Sequence, residues 1–265
     1  MPAGYAPSVT VKAQGHLLTV TPESYYPRKD FGGSRRRVVT YSGKSRKRLL
    51  ELFARLQDPD SRGYRYRVSF LTLTTQRVHT PKEFKRRMFI LLKRFRRRHP
   101  RLAAVWRLEF QKRGAPHIHL VLYNAPWLDK EWIQSSWGEI VTEERPFTRI
   151  ERVKSHRSLL SYVSKYVAKD TGFNYVPKLT ALGVVSDGDA LGRCWGVFGR
   201  GNLPFAKLGV SVVPLDASWW LIRRYCVGLW DGLDADSPNG FTVFCDDPYA
   251  ALDYIYKLSC DFRFA

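Results

Sequence analysis

Two histidines one residue apart are the residues of this chain whose spacing first suggests chemistry. His117 and His119 flank Ile118 in a short apolar stretch that follows Gly114 and Pro116. Side chains alternate along a β-strand, so both imidazoles would lie on one face, about 7 Å apart at Cα. Two such imidazoles can bind one divalent cation, contact a nucleic acid, or form an ordinary polar strand face.

A carboxylate on the preceding strand can join the histidines, depending on the turn between the strands. Residues 103–110 and 117–123 predict two strands of a β-hairpin. An odd number of loop residues places Glu109 opposite one histidine, on the same face. A two-residue turn of Arg113 and Gly114 places Glu109 on the other face instead.

Metal binding would need this third ligand, because an isolated pair of strand histidines is more often a polar face. Gln111 has the same strand parity as Glu109 and is a reserve ligand. Two imidazoles and one carboxylate leave open positions for substrate oxygens, which suits Mg²⁺ or Mn²⁺ bound together with phosphate. The candidate metal ligands are therefore Glu109, His117 and His119.

A second group of reactive side chains lies on a predicted helix at residues 155–169. Tyr162 and Tyr166 are four residues apart and therefore share one flank of the helix. A lysine follows each tyrosine by three residues, at Lys165 and Lys169. One apolar stripe fixes the orientation of the helix and consists of Leu159, Leu160, Val163 and Val167.

Tyrosines at helical spacing are more often packing residues than catalysts, but the lysines change the chemistry. A phenol with a pKa of about 10 is a poor nucleophile at neutral pH. A nearby cation favours the phenolate and can also neutralise charge on a phosphoryl transition state. A tyrosine that attacks a phosphodiester forms a covalent phosphotyrosine, which retains the bond for later rejoining. The candidate catalytic residues are Tyr162, Tyr166, Lys165 and Lys169.

The charge of the chain predicts a polyanionic partner. The formal net charge is +20, and the 44 Lys and Arg residues are concentrated before residue 186, where 37 of them face only 14 Asp and Glu. Residues 186–265 carry 7 basic and 10 acidic side chains. Basic surfaces bind phosphate backbones by releasing counterions. Because no segment reaches 18 apolar residues, nucleic acid is a better partner than a membrane.

The most basic element is a predicted helix that follows Thr80 and Pro81 and ends before Pro100. Thr80 suits the N-cap and Pro81 the first helical position. Nine Lys or Arg side chains lie between Lys82 and Arg98, with Glu83 as the one acid. A solvated face and a phosphate-facing helix are about equally good interpretations. The candidate DNA-binding residues here and in the hairpin are Arg86, Arg87, Arg94, Arg97 and Arg113.

The order of predicted elements from residue 67 onward is β-α-β-β-α-β-α, which predicts an α+β fold. Its antiparallel β-sheet carries packed helices in a split βαβ arrangement. We divide the chain into a basic N-terminal extension (1–60), a catalytic domain (61–200) and a C-terminal extension of unknown role (201–265). Residues 1–45 are rich in Pro, Gly, Ser and Arg and are expected to form largely a mobile basic arm. Four cysteines without a C-x-x-C pair indicate reduced, structural thiols.

Three motifs in this order resemble the HUH endonuclease superfamily. They are FLTLTT from Phe70, EFQ-x-RG-x-PHIH from Glu109 and YVSKYVAK from Tyr162. The set is most similar to two-tyrosine rolling-circle replication initiators of single-stranded DNA phages and small plasmids. A weaker similarity extends to Arg193-Cys194-Trp195-Gly196. The resemblance covers residues 66–200 and implies an HUH or RRM-like sheet.

The resemblance also implies the roles of these residues and the partners of the protein. His117, His119 and Glu109 correspond to the metal ligands, and the paired tyrosines to the nucleophiles. The implied activity is site-specific nicking and rejoining of a single-stranded or hairpin origin through a 5′-phosphotyrosine. A host polymerase would extend the 3′-OH, and a host helicase would unwind the duplex because no P-loop motif is present. The implied location is the cytoplasm of a prokaryotic host.

Three rival functions remain open from the sequence. A two-tyrosine transposase would use the same chemistry, as would a conjugative relaxase, although relaxases usually place the tyrosine before the histidines. A noncatalytic RNA- or DNA-binding module on a similar sheet would need neither the histidine pair nor the tyrosine helix.

Overall fold

The computed structural model describes residues 8–22, 38, 40–57, 68–125, 128–153, 155, 159, 163, 175–186, 191–214, 218–229 and 240–261. The strands of this described part are β1 (Ser8–Gln14), β2 (Leu17–Pro22), β3 (Val68–Thr74), β4 (Ala103–Phe110), β5 (Pro116–Tyr123), β6 (Thr148–Arg152), β7 (Trp195–Phe198), β8 (Gly209–Pro214) and β9 (Phe241–Phe244). The helices are α1 (Gly43–Ala54), α2 (Pro81–Arg98), α3 (Lys130–Val141), α4 (Tyr175–Ala181), α5 (Ser218–Leu229) and α6 (Pro248–Asp261), with a 3₁₀ turn at Arg200–Asn202.

The chain forms two compact units, each with its own sheet. One unit comprises Arg35–Leu50 and Asp58–Pro204, and its five strands are ordered β6-β3-β5-β4-β7. Every neighbouring pair in this sheet is antiparallel. The predicted α+β fold with helices packed on an antiparallel sheet is confirmed.

One face of the five-stranded sheet is apolar and is covered by α2 and α3. Strand alternation directs Leu71 and Leu73 of β3 and Ile118 and Leu120 of β5 to this face, where all four are fully buried. The helices contribute side chains at 3.6-residue spacing. These side chains are Phe84, Met88, Leu91, Leu92 and Phe95 of α2 with Ile133, Trp137 and Val141 of α3.

Capping residues determine where these two helices begin. The Thr80 side chain accepts a hydrogen bond from the Glu83 backbone N–H at 3.3 Å, and Pro81 follows as predicted. The Asp129 side chain accepts from the Trp132 N–H at 2.6 Å. Helix α3 therefore begins at Lys130, because Asp129 provides the cap.

The other unit comprises Met1–Ser34, Glu51–Gln57 and Phe205–Ala265 and holds a four-stranded antiparallel sheet ordered β8-β1-β2-β9. Its core brings together buried residues from both ends of the chain, including Val11 of β1, Val20 of β2 and Val243 of β9. Ile222 of α5 and Ile255 of α6 pack into the same core. Chain ends far apart in sequence thus share one hydrophobic core.

This second unit differs from the arrangement expected for the N-terminal residues. Residues 8–22 were expected to belong to a mobile arm, but they form β1 and β2, whose apolar side chains alternate with polar ones. The strand partners β8 and β9 lie some 200 residues away in the segment 201–265. Each compact unit therefore contains residues from more than one of the predicted segments 1–60, 61–200 and 201–265.

No helix in the described part of the chain is both long enough and apolar enough to cross a membrane.

Candidate functional site

The turn between β4 and β5 determines whether Glu109 lies on the histidine face. The last paired residues are Phe110 and Pro116, so the loop has five residues, an odd number. Glu109 is consequently the direct cross-strand partner of His117. Of the two alternatives left open by the sequence, the odd loop is the one found, and Glu109 lies on the same face as the histidines.

Glycine at position 114 allows this five-residue loop. The Gly114 backbone has φ +84°, a conformation that L side chains rarely adopt, and its N–H donates to the Gln111 carbonyl at 2.9 Å. A Cβ on Gly114 would lie 2.7 Å from Leu182 Cδ1, so the tip of the hairpin packs closely against the residues after α4. Gln111 closes the loop through a hydrogen bond from its N–H to the Ala115 carbonyl.

The face opposite α2 and α3 carries a row of polar side chains on three adjacent strands. Thr72 on β3 is the cross-strand partner of His119 on β5, and Arg107 on β4 is the partner of His119 on the other side. The next row consists of Thr74, His117 and Glu109. We call these six side chains the histidine face.

Glu109 and His119 form a buried pair at the centre of the histidine face. His119 Nε2 lies 3.6 Å from Glu109 Oε2, and the two residues are 6% and 8% exposed. The guanidinium of Arg107, 5% exposed, lies 3.2 Å from the other carboxylate oxygen, Oε1. A buried carboxylate needs such cationic and hydrogen-bonding partners to remain ionised.

Two threonines of β3 orient the imidazole rings. Thr72 Oγ1 lies 3.1 Å from His119 Nδ1, and Thr74 Oγ1 lies 2.7 Å from His117 Nδ1. When the hydroxyl oxygen accepts from Nδ1–H, the lone pair of the ring is on Nε2, which is the state that a metal ligand requires. The two rings lie edge to face, with centroids 4.3 Å apart.

An aromatic ring lies against the guanidinium of Arg107. Its guanidinium lies 4.4 Å from the ring centroid of Tyr41, which is 1% exposed. Burial raises the pKa of Tyr41 to about 12, although the charge of Arg107 acts in the opposite direction. Tyr41 therefore stays a neutral phenol at physiological pH, and its ring supports the Arg107 guanidinium.

The histidine face meets some of the requirements of a metal site. Its donors are a carboxylate and two imidazoles, each imidazole with a threonine hydroxyl at Nδ1 and its Nε2 on the other side of the ring. Within the described ranges, however, no three His, Cys, Asp or Glu side chains already converge in positions that could hold a metal. Glu109 and His119 supply two of the donors that a metal site needs, and His117 lies beside them.

His117 connects the buried pair to a surface cleft of about 450 Å³. Two arginines, Arg113 and Arg145, line this cleft, together with Phe147, whose side chain is 56% exposed. An exposed aromatic ring beside two cations is suited to a nucleobase and its phosphate. Arg145 and Phe147 were not predicted as functional residues, because nothing in their local spacing connects them with His117.

Thr72, Thr74 and Arg107 were also not assigned a role from the sequence. The sequence did contain an indication of their role. Each of the three occupies a strand position whose side chain lies on the same face as the histidines and Glu109. Parity identifies the face of a strand, but the neighbour on the next strand depends on the register.

The four candidate catalytic residues Tyr162, Tyr166, Lys165 and Lys169 lie outside the described residues. The structure does describe Leu159 and Val163 of the same segment, both helical and 3% exposed. The Leu159 N–H donates to the Ser155 carbonyl at 3.1 Å. The predicted apolar stripe is thus buried at these two positions, while Leu160 and Val167 are outside the described part.

The five candidate DNA-binding arginines are in different environments. Arg87 contacts the ring of His79 at 3.0 Å, and Arg94 forms a 2.6 Å ion pair with Glu139, so both are engaged within the protein. Arg113 donates to the carbonyls of Thr75 and Gln76 and anchors the hairpin. Arg86 and Arg97 are exposed on α2. Because α2 covers the apolar face, its arginines lie on the opposite side of the sheet from the histidines.

The segment that carries this geometry is similar to a known family. Residues 68–171 match the family model of the replication-associated protein ORF2/G2P. The match includes all six residues of the histidine face and the predicted tyrosine helix, and it supports a replication initiator family and a role in DNA replication. No curated protein and no solved structure matches the chain.

Proposed function

We propose that this protein initiates and terminates rolling-circle DNA replication by nicking and rejoining single-stranded DNA through a covalent phosphotyrosine, in the manner of two-tyrosine HUH endonucleases. One observation carries the proposal. The buried pair of Glu109 and His119, flanked by His117 and oriented by threonines, lies within the segment that matches the replication-associated family.

The proposed cofactor is Mg²⁺ or Mn²⁺, held by Glu109, His119 and His117. A divalent cation bound there withdraws charge from a scissile phosphate and fixes its position. Thr72 and Thr74 keep the imidazoles in the tautomer that binds through Nε2. Arg107 places a positive charge 3.2 Å from the Glu109 carboxylate and offsets part of its negative charge.

The cleft beside His117 is the proposed binding site for the DNA strand next to the scissile phosphate. Arg145 and Arg113 provide positive charge for the phosphates on either side, and Phe147 provides a surface on which a base can stack. A strand bound in this cleft passes directly over His117, which brings a phosphodiester to the histidine face.

The proposed reaction exchanges one phosphate ester for another. The phenol oxygen of Tyr162 or Tyr166 attacks the phosphorus, its O–P bond forms, and the bond from phosphorus to the 3′-oxygen breaks. The phenol loses its proton and the leaving 3′-oxygen gains one, with Lys165 or Lys169 as the proposed proton carrier. The product is a 5′-phosphotyrosine and a free 3′-OH, which a host polymerase extends while a host helicase unwinds the duplex.

The test of this function is the formation of a covalent adduct on single-stranded DNA. The protein is incubated with Mn²⁺ and a labelled pool of random-sequence single-stranded oligonucleotides, and the products are separated on a denaturing gel. We expect a labelled band at the protein position, absent in EDTA, and sequencing of the bound DNA identifies the nick site. Tight binding without any adduct would instead favour a noncatalytic DNA-binding module.

A single substitution on β3 tests the role of the threonines. Thr72→Val removes the acceptor for His119 Nδ1–H, and we expect Mn²⁺ affinity to fall about 10–100-fold, the usual cost of losing such a partner. Isothermal titration calorimetry with Mn²⁺ measures the change. Thr148→Val is the matched control, because Thr148 Oγ1 on β6 makes no hydrogen bond within the described residues. Equal Mn²⁺ affinity in the two variants would contradict the proposed role of Thr72.

A further inference from the structure

A basic groove lies on the other side of the five-stranded sheet from the histidine face. It runs between α2 and the edge strand β7 and has a volume of about 990 Å³. Its cationic lining consists of Lys82, Lys85, Arg86, Lys93 and Arg193. No acidic side chain lines the groove within the part of the chain that the structure describes.

The cations on α2 form one continuous stripe. Lys82, Arg86 and Lys93 are exposed and recur at helical spacing, so they lie along one side of the helix over about 16 Å. That length spans a few successive phosphates of a DNA strand. Lys85 has a different role, because its Nζ donates to the carbonyls of Leu191 at 2.6 Å and Arg193 at 3.2 Å and holds that segment against α2.

Aromatic side chains form the floor of the groove between the cations. Phe89 of α2 and Trp106 of β4 line it and meet edge to face, with ring centroids 6.0 Å apart. Phe89 is only partly buried and also contacts Phe198 of β7. Interleaved aromatic and cationic side chains are typical of surfaces that bind single-stranded nucleic acid, since bases stack while phosphates are neutralised.

A hydrogen-bond donor at the floor of the groove is not used within the protein. Trp106 is 4% exposed, and its Nε1 makes no hydrogen bond in the described residues. The indole edge lies against Gly196 of β7, since a Cβ on Gly196 would be 3.0 Å from Nε1 and 2.7 Å from Cζ2. Because β7 covers this atom, the indole N–H is a feature of the groove floor and not a contact for a bound strand.

We propose that the groove between α2 and β7 is a second binding site for single-stranded DNA, which holds a segment of the strand distant from the scissile phosphate. Its recognition is independent of sequence, because it uses cations and the partly exposed ring of Phe89 and not a set of base-specific contacts. The choice of DNA as the ligand rests on the proposed function, whereas the groove itself takes no part in nicking.

The test separates binding in the groove from the chemistry on the histidine face. The triple variant Lys82→Glu/Arg86→Glu/Lys93→Glu is compared with the wild-type chain by fluorescence anisotropy of a labelled oligothymidylate in EDTA, at several salt concentrations. We expect affinity to fall at least ~10-fold and the salt dependence to weaken by a slope of about 2, from about 0.7 for each lost phosphate contact.

The control variant carries the same change of charge elsewhere on the surface. Arg101→Glu/Lys130→Glu/Lys207→Glu replaces three exposed cations outside the groove lining and is expected to keep most of the affinity. The proposal is overturned if the control loses as much as the triple variant, or if the triple variant loses affinity for a duplex and not for the single strand.

Adduct formation on the random-sequence pool is measured in parallel, so that failure of the two proposals can be distinguished. An adduct with the wild-type chain, together with unchanged oligothymidylate binding by the triple variant, refutes the groove alone. Absence of the adduct with groove-dependent binding refutes the nicking function and leaves the groove as a single-strand binding site.

Discussion

Replacing both Tyr162 and Tyr166 with Phe is expected to abolish the covalent protein–DNA adduct completely. The substitution removes the two proposed nucleophilic oxygens and leaves the ring volume almost unchanged. DNA binding is expected to remain, since the proposed contacts to phosphates come from arginines and lysines. A denaturing gel with Mn²⁺ and the random-sequence oligonucleotide pool measures the adduct, and fluorescence anisotropy measures the binding.

The single variants and a matched double variant make this result specific. Tyr162→Phe and Tyr166→Phe are each expected to retain an adduct, because either oxygen can form the phosphotyrosine. Tyr254→Phe/Tyr256→Phe removes two exposed phenols on α6 and is expected to behave as the wild-type chain does. An adduct that persists in the Tyr162/Tyr166 double variant would identify a different nucleophile and refute the assignment.

His119→Ala is expected to reduce adduct formation by at least about 100-fold, because loss of a proposed metal ligand costs more than the ~10–100-fold loss from an outer partner. The same variant should keep salt-sensitive DNA binding, because His119 is 6% exposed and lies beneath the surface that contacts the strand. The measurements are adduct yield as a function of Mn²⁺ concentration and oligothymidylate affinity in EDTA.

The interpretation of His119→Ala depends on the integrity of the fold. Because the side chain is buried, His119→Gln is a second variant that keeps a hydrogen-bonding group opposite Thr72, and thermal unfolding of both variants is measured. His99→Ala at the end of α2 is the matched histidine control and is expected to leave the adduct unchanged. If His119→Ala loses DNA binding and adduct to the same extent, His119 has a structural role.

The five-stranded sheet separates two kinds of interaction. One face carries the buried pair of Glu109 and His119, and the opposite face is covered by α2 with its row of cations. A strand of DNA bound at both the His117 cleft and the groove beside β7 would contact both sides of the sheet. We therefore expect substitutions on the histidine face to change the proposed nicking and substitutions in the groove to change the proposed sequence-independent affinity.

The elements around the site were predictable because their signals are local. Alternation placed the strands at β3, β4 and β5, and Thr80 with Pro81 placed the start of α2. Whether Glu109 faces the histidines depended only on whether the loop between β4 and β5 has an odd or an even number of residues. The loop around Gly114 has five residues, so Glu109 shares the histidine face. These features depend on backbone geometry within a few residues, and a sequence contains that information.

The contacts that span the sheet or the whole chain were not predictable in this way. Pairing of β1 with β8 joins Val9 to Val213, and pairing of β2 with β9 joins Leu18 to Val243. Short strands with ordinary apolar alternation match many partners, so the correct one depends on which arrangement buries a common core. The high Pro, Gly, Ser and Arg content of residues 1–45 concealed two of these strands.

The sequence alone supplied the residue types and the order that suggest the proposed nicking chemistry. These are a histidine pair, a carboxylate one strand away, and two tyrosines with lysines on a predicted helix. Tertiary structure added the neighbours that modify this chemistry, namely Thr72 and Thr74 on the imidazoles and Arg107 on Glu109. It also showed that α2 lies on the opposite side of the sheet from the histidines. The physical reason is that a motif consists of residues close together in the sequence, whereas strand register and packing bring together residues that are distant in the sequence.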